Sequence, residues 1–208
     1  STVGVMGNIS GIADENTPPN PVTPYEKSKA QAEELVLSYQ EVLPITIVHS
    51  ALVMGPNKEW VEIIKMVKKN FPVIGSGKNF WQIIFIDDLV EALVFLLDNE
   101  KAFGETFLAA EENPKTLFEL VELIRAELGM DEKIKTLPIW LGFALSYLLE
   151  FFSKISGKKN FLKPEHIKRL IRERHYSIEK IKKIGWRPKI STKDAVKKTV
   201  KEIENKND

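Results

Sequence analysis

The run over residues 45–54, Ile-Thr-Ile-Val-His-Ser-Ala-Leu-Val-Met, carries apolar side chains at odd and even positions alike. A strand with one solvated face alternates apolar with polar residues. A strand apolar on both faces belongs to a parallel sheet that helices cover on each side. Pro44 before the run and Gly55-Pro56 after it confine it to strand length. Helical periods flank it: Ala32, Leu35, Val36 and Tyr39 upstream, and Trp60, Ile63, Ile64 and Val67 downstream. Asp88-Leu89-Val90-Glu91 reads as a cap that opens a helix to about Leu97, and residues 105–109 read as a short strand. Thr116-Leu117-Phe118-Glu119 reads as the capping box of a helix ending at Gly129. Ser191-Thr192-Lys193-Asp194 opens a last helix, with Val196, Val200 and Ile203 on one face. Strand alternating with helix defines an α/β chain.

Thr23-Pro24-Tyr25-Glu26 is a helix start: Thr23 caps, Pro24 suits the first turn, and Glu26 completes a capping box. The helix spans about residues 24–39. On it Tyr25 and Lys29 stand at i and i+4 and share a face. A phenol with a pKa of about 10 is a poor base at neutral pH. A neighbouring ammonium and the positive end of the helix favour its phenolate. Such a tyrosine can exchange a proton with an alcohol or ketone oxygen. Taken alone, Tyr-x-x-x-Lys is as well explained by a surface tyrosine lying on a lysine stem.

Other segments stand in register with that pair. Ser1-Thr2-Val3-Gly4-Val5-Met6-Gly7 precedes it and reads as the tip of a core strand over its first five residues, followed by a polar, proline-rich loop. Ile74-Gly75-Ser76-Gly77-Lys78-Asn79, Phe85-Ile86-Asp87-Asp88-Leu89 and Ile184-Gly185-Trp186-Arg187-Pro188 follow it. In that order and at those spacings the series resembles the extended short-chain dehydrogenase/reductase superfamily. That group comprises NAD-dependent nucleotide-sugar epimerases and dehydratases, hydroxysteroid dehydrogenase/isomerases and dihydroflavonol reductases.

The resemblance implies the C-terminal part of a doubly wound, Rossmann-type parallel sheet, with a small, mostly helical substrate-binding region. Residues 1–100 would be the C-terminal half of a dinucleotide-binding domain and residues 101–208 mainly the substrate region. The N-terminal cofactor-binding half, with its glycine-rich loop, would lie upstream of Ser1. It further implies a catalytic set of Thr2, Tyr25 and Lys29, with Ser1 as the neighbouring alternative to Thr2. Lys29 and Tyr25 would also contact the cofactor, NAD or NADP. His49, Ser50, Ala51 and Leu52 would pass the nicotinamide ring, and Met6 and Met54 would border the substrate. The expected reaction moves a hydride at a secondary alcohol or ketone, in a small-molecule or sugar substrate. A non-catalytic dinucleotide sensor or assembly protein is the alternative of another class. A homodimer through the helix bearing Tyr25 is also implied.

The chain departs from that pattern in places. His49-Ser50 stands where Arg-Pro is common, which leaves His49 open to a buried structural role. No arginine occurs around Phe80-Trp81-Gln82, and Arg174-His175-Tyr176-Ser177 replaces the usual Arg-x-Gly-Asp. A diphosphate wants bidentate, charge-assisted donors. The departures therefore favour a less charged alcohol, with Lys78, Arg169 or Arg172 as the available substitutes.

Bulk properties exclude several classes. A net charge of +1 gives no electrostatic case for nucleic acid. Cysteine is absent, so disulfides and thiolate metal sites are excluded. His49, His166 and His175 show no metal-ligand spacing. The composition is that of a cytoplasmic protein. Gly75-Ser76-Gly77-Lys78 lacks the spacing of a phosphate loop and reads as a turn. Asp87-Asp88 reads as helix capping rather than an acid/base dyad. The apolar stretch over residues 137–152, Leu-Pro-Ile-Trp-Leu-Gly-Phe-Ala-Leu-Ser-Tyr-Leu-Leu-Glu-Phe-Phe, is too short to cross a bilayer. It reads as a buried helix, with a lid over an apolar substrate or an interfacial helix as the other readings. A membrane partner is not expected from the sequence.

Overall fold

The computed structural model describes residues 1–156 and 163–206. After a 3-10 turn at Val3–Met6 come helix α1 (Pro24–Leu37), strands β1 (Ile47–Ser50) and β2 (Leu52–Met54), and helix α2 (Lys58–Lys68). Strand β3 (Val73–Ile74) and strand β4 (Ile83–Phe85) lead into helix α3 (Ile86–Leu97). Strand β5 (Thr106–Ala109), helix α4 (Leu117–Glu127), strand β6 (Thr136–Leu137) and helix α5 (Ile139–Ser156) follow. The chain continues through α6 (Pro164–Leu170), α7 (Glu179–Lys183) and α8 (Thr192–Asn205).

Every strand pair among the described residues is parallel: β1 with β5, β2 with β4, and β3 with β6. The apolar run is interrupted at Ala51, which separates β1 from β2. Its first half pairs with β5, Ile47 opposite Thr106 and Ser50 opposite Ala109. Its second half pairs with β4, Leu52 opposite Ile83. One apolar run thus feeds two neighbours in turn, and this splits the core. Val5, Met6, Val48, Ile84, Phe107 and Leu108 pack on one side with Tyr176 and Trp186. Met54, Trp60, Ile64, Ile83, Phe85 and Leu120 pack on the other with Val196 and Val200 of α8. Trp60 also fixes its depth by donating Nε1 to the Val53 carbonyl at 2.8 Å.

Local signals set the helix starts. Thr23 and Thr116 each cap their helix reciprocally with Glu26 and Glu119, and Ser191 caps α8. α1 ends at Leu37, two residues short of Tyr39, with Ser38 as its C-cap.

Three expectations are corrected. The stretch over residues 1–5 is not a strand tip throughout. Thr2 bridges Ser50 in parallel, and the Thr2 hydroxyl then accepts the Gly4 amide, which starts the 3-10 turn. Gly7 ends that turn at φ 64, where a Cβ would lie 1.8 Å from the Asn20 carbonyl oxygen. Second, Asp88 does not open α3. The N-cap is Phe85, which makes no side-chain cap bond. Asp88 lies buried in the first turn, where its carboxylate accepts the amides of Lys189 (3.2 Å) and Ile190 (2.9 Å). It pins the segment that enters α8 to the start of α3. Third, α5 is not buried. Gly142 lies close against Ile74 and Ile167, and Phe143 packs into the same small core. The opposite face of α5 is open to solvent, with Trp140 71% exposed and Phe151 60%.

Candidate active site

Tyr25 occupies the first turn of α1 and is 59% exposed. The Lys29 ammonium lies 5.9 Å from the centre of its ring. The i, i+4 spacing is therefore realised as a cation over a phenol that a ligand can reach. Thr2 is brought to the same end of α1 because the 3-10 turn packs on it: a Cβ at Gly4 would meet Glu26 Cγ at 3.2 Å. The Thr2 hydroxyl is partly buried and is occupied as acceptor for the Gly4 amide, which leaves its proton available.

Glu26 anchors this corner. Its Oε2 accepts the amides of Thr23 (2.8 Å) and Val22 (2.9 Å), and its Oε1 pairs with Arg172 at 2.5 Å. Both side chains of the pair are largely buried. Burial alone raises the Glu26 pKa, but the Thr23 amide, Arg172 and the Val22 amide together hold it below the usual carboxylate value. Arg172 belongs to a segment laced to the sheet by Asn79, whose Nδ2 donates to the Leu170 and Arg172 carbonyls. Gln82 continues the lacing by accepting the Tyr176 amide at 2.6 Å. The helix bearing Tyr25 is thus tied to the C-terminal segment through one buried ion pair.

A second cluster lies along the same helix. Glu33 accepts from the Ser1 hydroxyl (2.9 Å) and meets His49 Nε2 at 2.8 Å. Lys29, Glu33, Ser1 and Ser50 line a groove of about 370 Å³ between α1, α3 and the edge of β1. On that edge the Ser1 amine donates to the Val48 carbonyl at 2.8 Å and Thr2 bridges Ser50. Among the described residues β5 is the one strand that pairs with β1.

The residues singled out from sequence separate into two groups. Thr2, Tyr25, Lys29 and Ser50 gather around the start of α1 and the groove. Ser50 and Leu52 are partly exposed, whereas His49 is buried against Glu33 and Ala51 is buried beside it. Met6 and Met54 are 2% and 1% exposed and belong to opposite cores. Two of the three phosphate substitutes have acidic partners: Arg172 pairs with Glu26, and Arg169 with Glu59 at 2.7 Å on the surface. Arg174 lies 4.2 Å over the Trp81 ring, where burial lowers its pKa to about 10. Sequence reasoning missed Glu33 and the second role of Glu26. Glu33 sits at i+4 from Lys29 and i+8 from Tyr25, so its place on the helix face was readable; its partners His49 and Ser1 were not.

The parallel strands, their helical crossovers and the helix carrying Tyr25 and Lys29 define a Rossmann-type α/β protein. Comparison with family models makes the class particular. The model of the NAD dependent epimerase/dehydratase family matches residues 1–110, and the chain belongs to that family. It is 25% identical over 194 residues to N-acetyl-alpha-D-glucosaminyl-diphospho-ditrans,octacis-undecaprenol 4-epimerase of Escherichia coli, a match covering 89% of this chain and 58% of that protein. It is 26% identical over 221 residues to the decarboxylating sterol-4-alpha-carboxylate 3-dehydrogenase of Saccharomyces cerevisiae, covering 96% and 63%. The solved UDP-glucuronic acid 4-epimerase of Bacillus cereus, in complex with NAD, superposes with a TM-score of 0.75 at 19% identity, covering 100% of this chain and 61% of that one. The chain thus spans about three-fifths of these relatives.

Proposed function

We propose that the chain carries the proton-transfer half of an NAD- or NADP-dependent enzyme acting at a secondary alcohol or ketone, as oxidoreductase or epimerase. Tyr25 is the general acid/base, Lys29 sets an ammonium beside its ring, and Thr2 donates a hydrogen bond that holds the substrate oxygen beside the phenol. The reading is carried by the exposed Tyr25 ring with the Lys29 ammonium 5.9 Å from its centre, at the end of α1 where Thr2 is also anchored.

The groove suits one end of such a cofactor. Lys29 and Ser50 face it with donors fit for ribose hydroxyls, and Leu52 continues from Ser50 on the side where the nicotinamide would pass. A bound nicotinamide would supply the hydride acceptor or donor. The chain's residues position the reacting carbon and move the proton at its oxygen. His49 is read as support, since Glu33 engages it. Met6 and Met54 would bound the substrate from within the two cores rather than by contact.

The substrate is read as a weakly charged alcohol. Arg172 is held by a largely buried pair with Glu26 and Arg174 lies over Trp81, which weighs against a diphosphate clamp, although Arg172 Nε and Arg174 Nη1 have no hydrogen-bond partner among the described residues and would be its donors. The decarboxylating sterol dehydrogenase among the relatives supports this reading. The epimerases among them support a sugar-nucleotide substrate as the second reading, with Lys78 as the remaining cation. A cytoplasmic location and a homodimer through α1, where Leu35 is 62% and Val36 43% exposed, complete the proposal.

Tyr25→Phe in the cofactor-loaded protein should lower turnover by about two to four decades and leave cofactor affinity within a few-fold. Unchanged turnover would remove Tyr25 from the mechanism.

A further inference from the structure

Helix α5 presents Trp140, Tyr147, Leu148, Phe151 and Phe152 to solvent, each more than half exposed. These positions follow one another by seven, one, three and one residues, so they share one side of the helix over three turns. Between Trp140 and Phe152 the one charged residue is Glu150, half-buried at the border of the stripe. The opposite side of the helix is already committed, through Gly142 against Ile74 and Ile167 and through Phe143. The stripe is a projecting ridge, not a groove. Trp, Tyr and Phe on such a ridge suit a boundary where an apolar body meets a wet rim.

Charge identifies what the ridge meets. From Lys133 to Leu170 the sequence holds eight Lys or Arg and two Glu, a formal charge of +6. The rest of the chain therefore carries −5, for the total of +1. Lys133 and Lys135 lie exposed before α5, and Lys163 and Lys168 lie exposed after it. A second copy docked on the same stripe would set two such basic regions face to face. An extended anionic surface would satisfy both the cations and the ridge. No helix among the described residues is long and apolar enough to cross a membrane, so contact would be in-plane.

We infer that α5 docks the protein on an anionic phospholipid bilayer, its aromatic stripe in the headgroup boundary and the flanking lysines on the lipid phosphates. This departs from the small weight that sequence alone gives to membrane contact, and it stands independently of the proposed reaction.

The intact chain should co-sediment with vesicles of phosphatidylcholine mixed with phosphatidylglycerol. Binding should be about tenfold weaker to phosphatidylcholine alone, and should weaken as salt rises. Trp60, Trp81 and Trp186 are 1%, 7% and 4% exposed, so a blue shift of emission on binding reports Trp140. Trp140→Phe should abolish the shift and keep sedimentation. Phe151→Ser with Phe152→Ser should lower binding about tenfold or more without changing the melting temperature, since both side chains are exposed. Absence of sedimentation with the anionic vesicles, or sedimentation undiminished in the double-serine variant, would overturn the inference. So would a dimer in sedimentation velocity that the double-serine variant dissolves while vesicles stay unbound.

Discussion

Glu26 shows how one side chain can serve both a helix and a site. It closes the capping box of α1 and holds Arg172 against the turn that carries Tyr25. Its folded pKa lies below the unfolded one, so the carboxylate favours folding when charged. That contribution is complete above the unfolded value of about 4.5 and is lost as pH falls through the folded value. Stability followed by urea titration should therefore drop below about pH 4.5, and Glu26→Gln should flatten that part of the curve. A variant that kept the wild-type acid slope would assign the transition to other carboxylates. Glu111 carries the opposite sign. Burial raises its pKa although the Asn113 backbone, Thr192 and Lys115 favour the charged form. Ionisation then opposes folding, and stability falls as pH rises through the folded value. Glu111→Gln keeps an acceptor for the Thr192 hydroxyl, 3.0 Å away in the wild type. It should raise the melting temperature near neutral pH and leave it unchanged in acid below the unfolded value; a loss at neutral pH would contradict this account.

At the level of elements, α1 depends on a local cap and a distant tether, and the two differ in cost. Thr23→Ala removes the acceptor for the Glu26 amide and should cost about 1 kcal/mol. Arg172→Ala leaves a buried carboxylate without its cation and should cost about 3 kcal/mol. Chemical denaturation of the two variants separates them, and equal losses would mean that the tether is no more than a surface pair. The same contrast explains what could be read in advance. The boxes at Thr23 and Thr116 and the cap at Ser191 are made within four residues, so composition and spacing reveal them. The Glu26–Arg172 pair spans 146 positions, and nothing near either residue announces the other. Asp88 misled for a related reason: an aspartate beside a helix start usually caps it, but this one serves the amides of Lys189 and Ile190, a hundred residues away. α5 was legible as a helix but not in its orientation. It is apolar around most of its circumference, and which side is covered was decided by the neighbours of Gly142 rather than by periodicity.

For the molecule as a whole, the proposed reading assigns the described residues to the ribose and nicotinamide end of a cofactor rather than to its phosphates. The 208-residue sequence contains no Gly-x-x-Gly-x-x-Gly, the loop on which Rossmann proteins seat pyrophosphate at a helix N-terminus. Calorimetric titration of this chain should accordingly give NAD affinity no tighter than about millimolar. Micromolar binding would require a phosphate grip elsewhere, and Lys78 would be the first residue to replace. The chain's reach is set by its sheet. β1 is zipped to β5 along one side, and among the described residues Ser1 and Thr2 meet its other side, beside the groove between α1 and α3. Amides locked between those two strands should therefore be among the last to take up deuterium when the polypeptide is moved into heavy water.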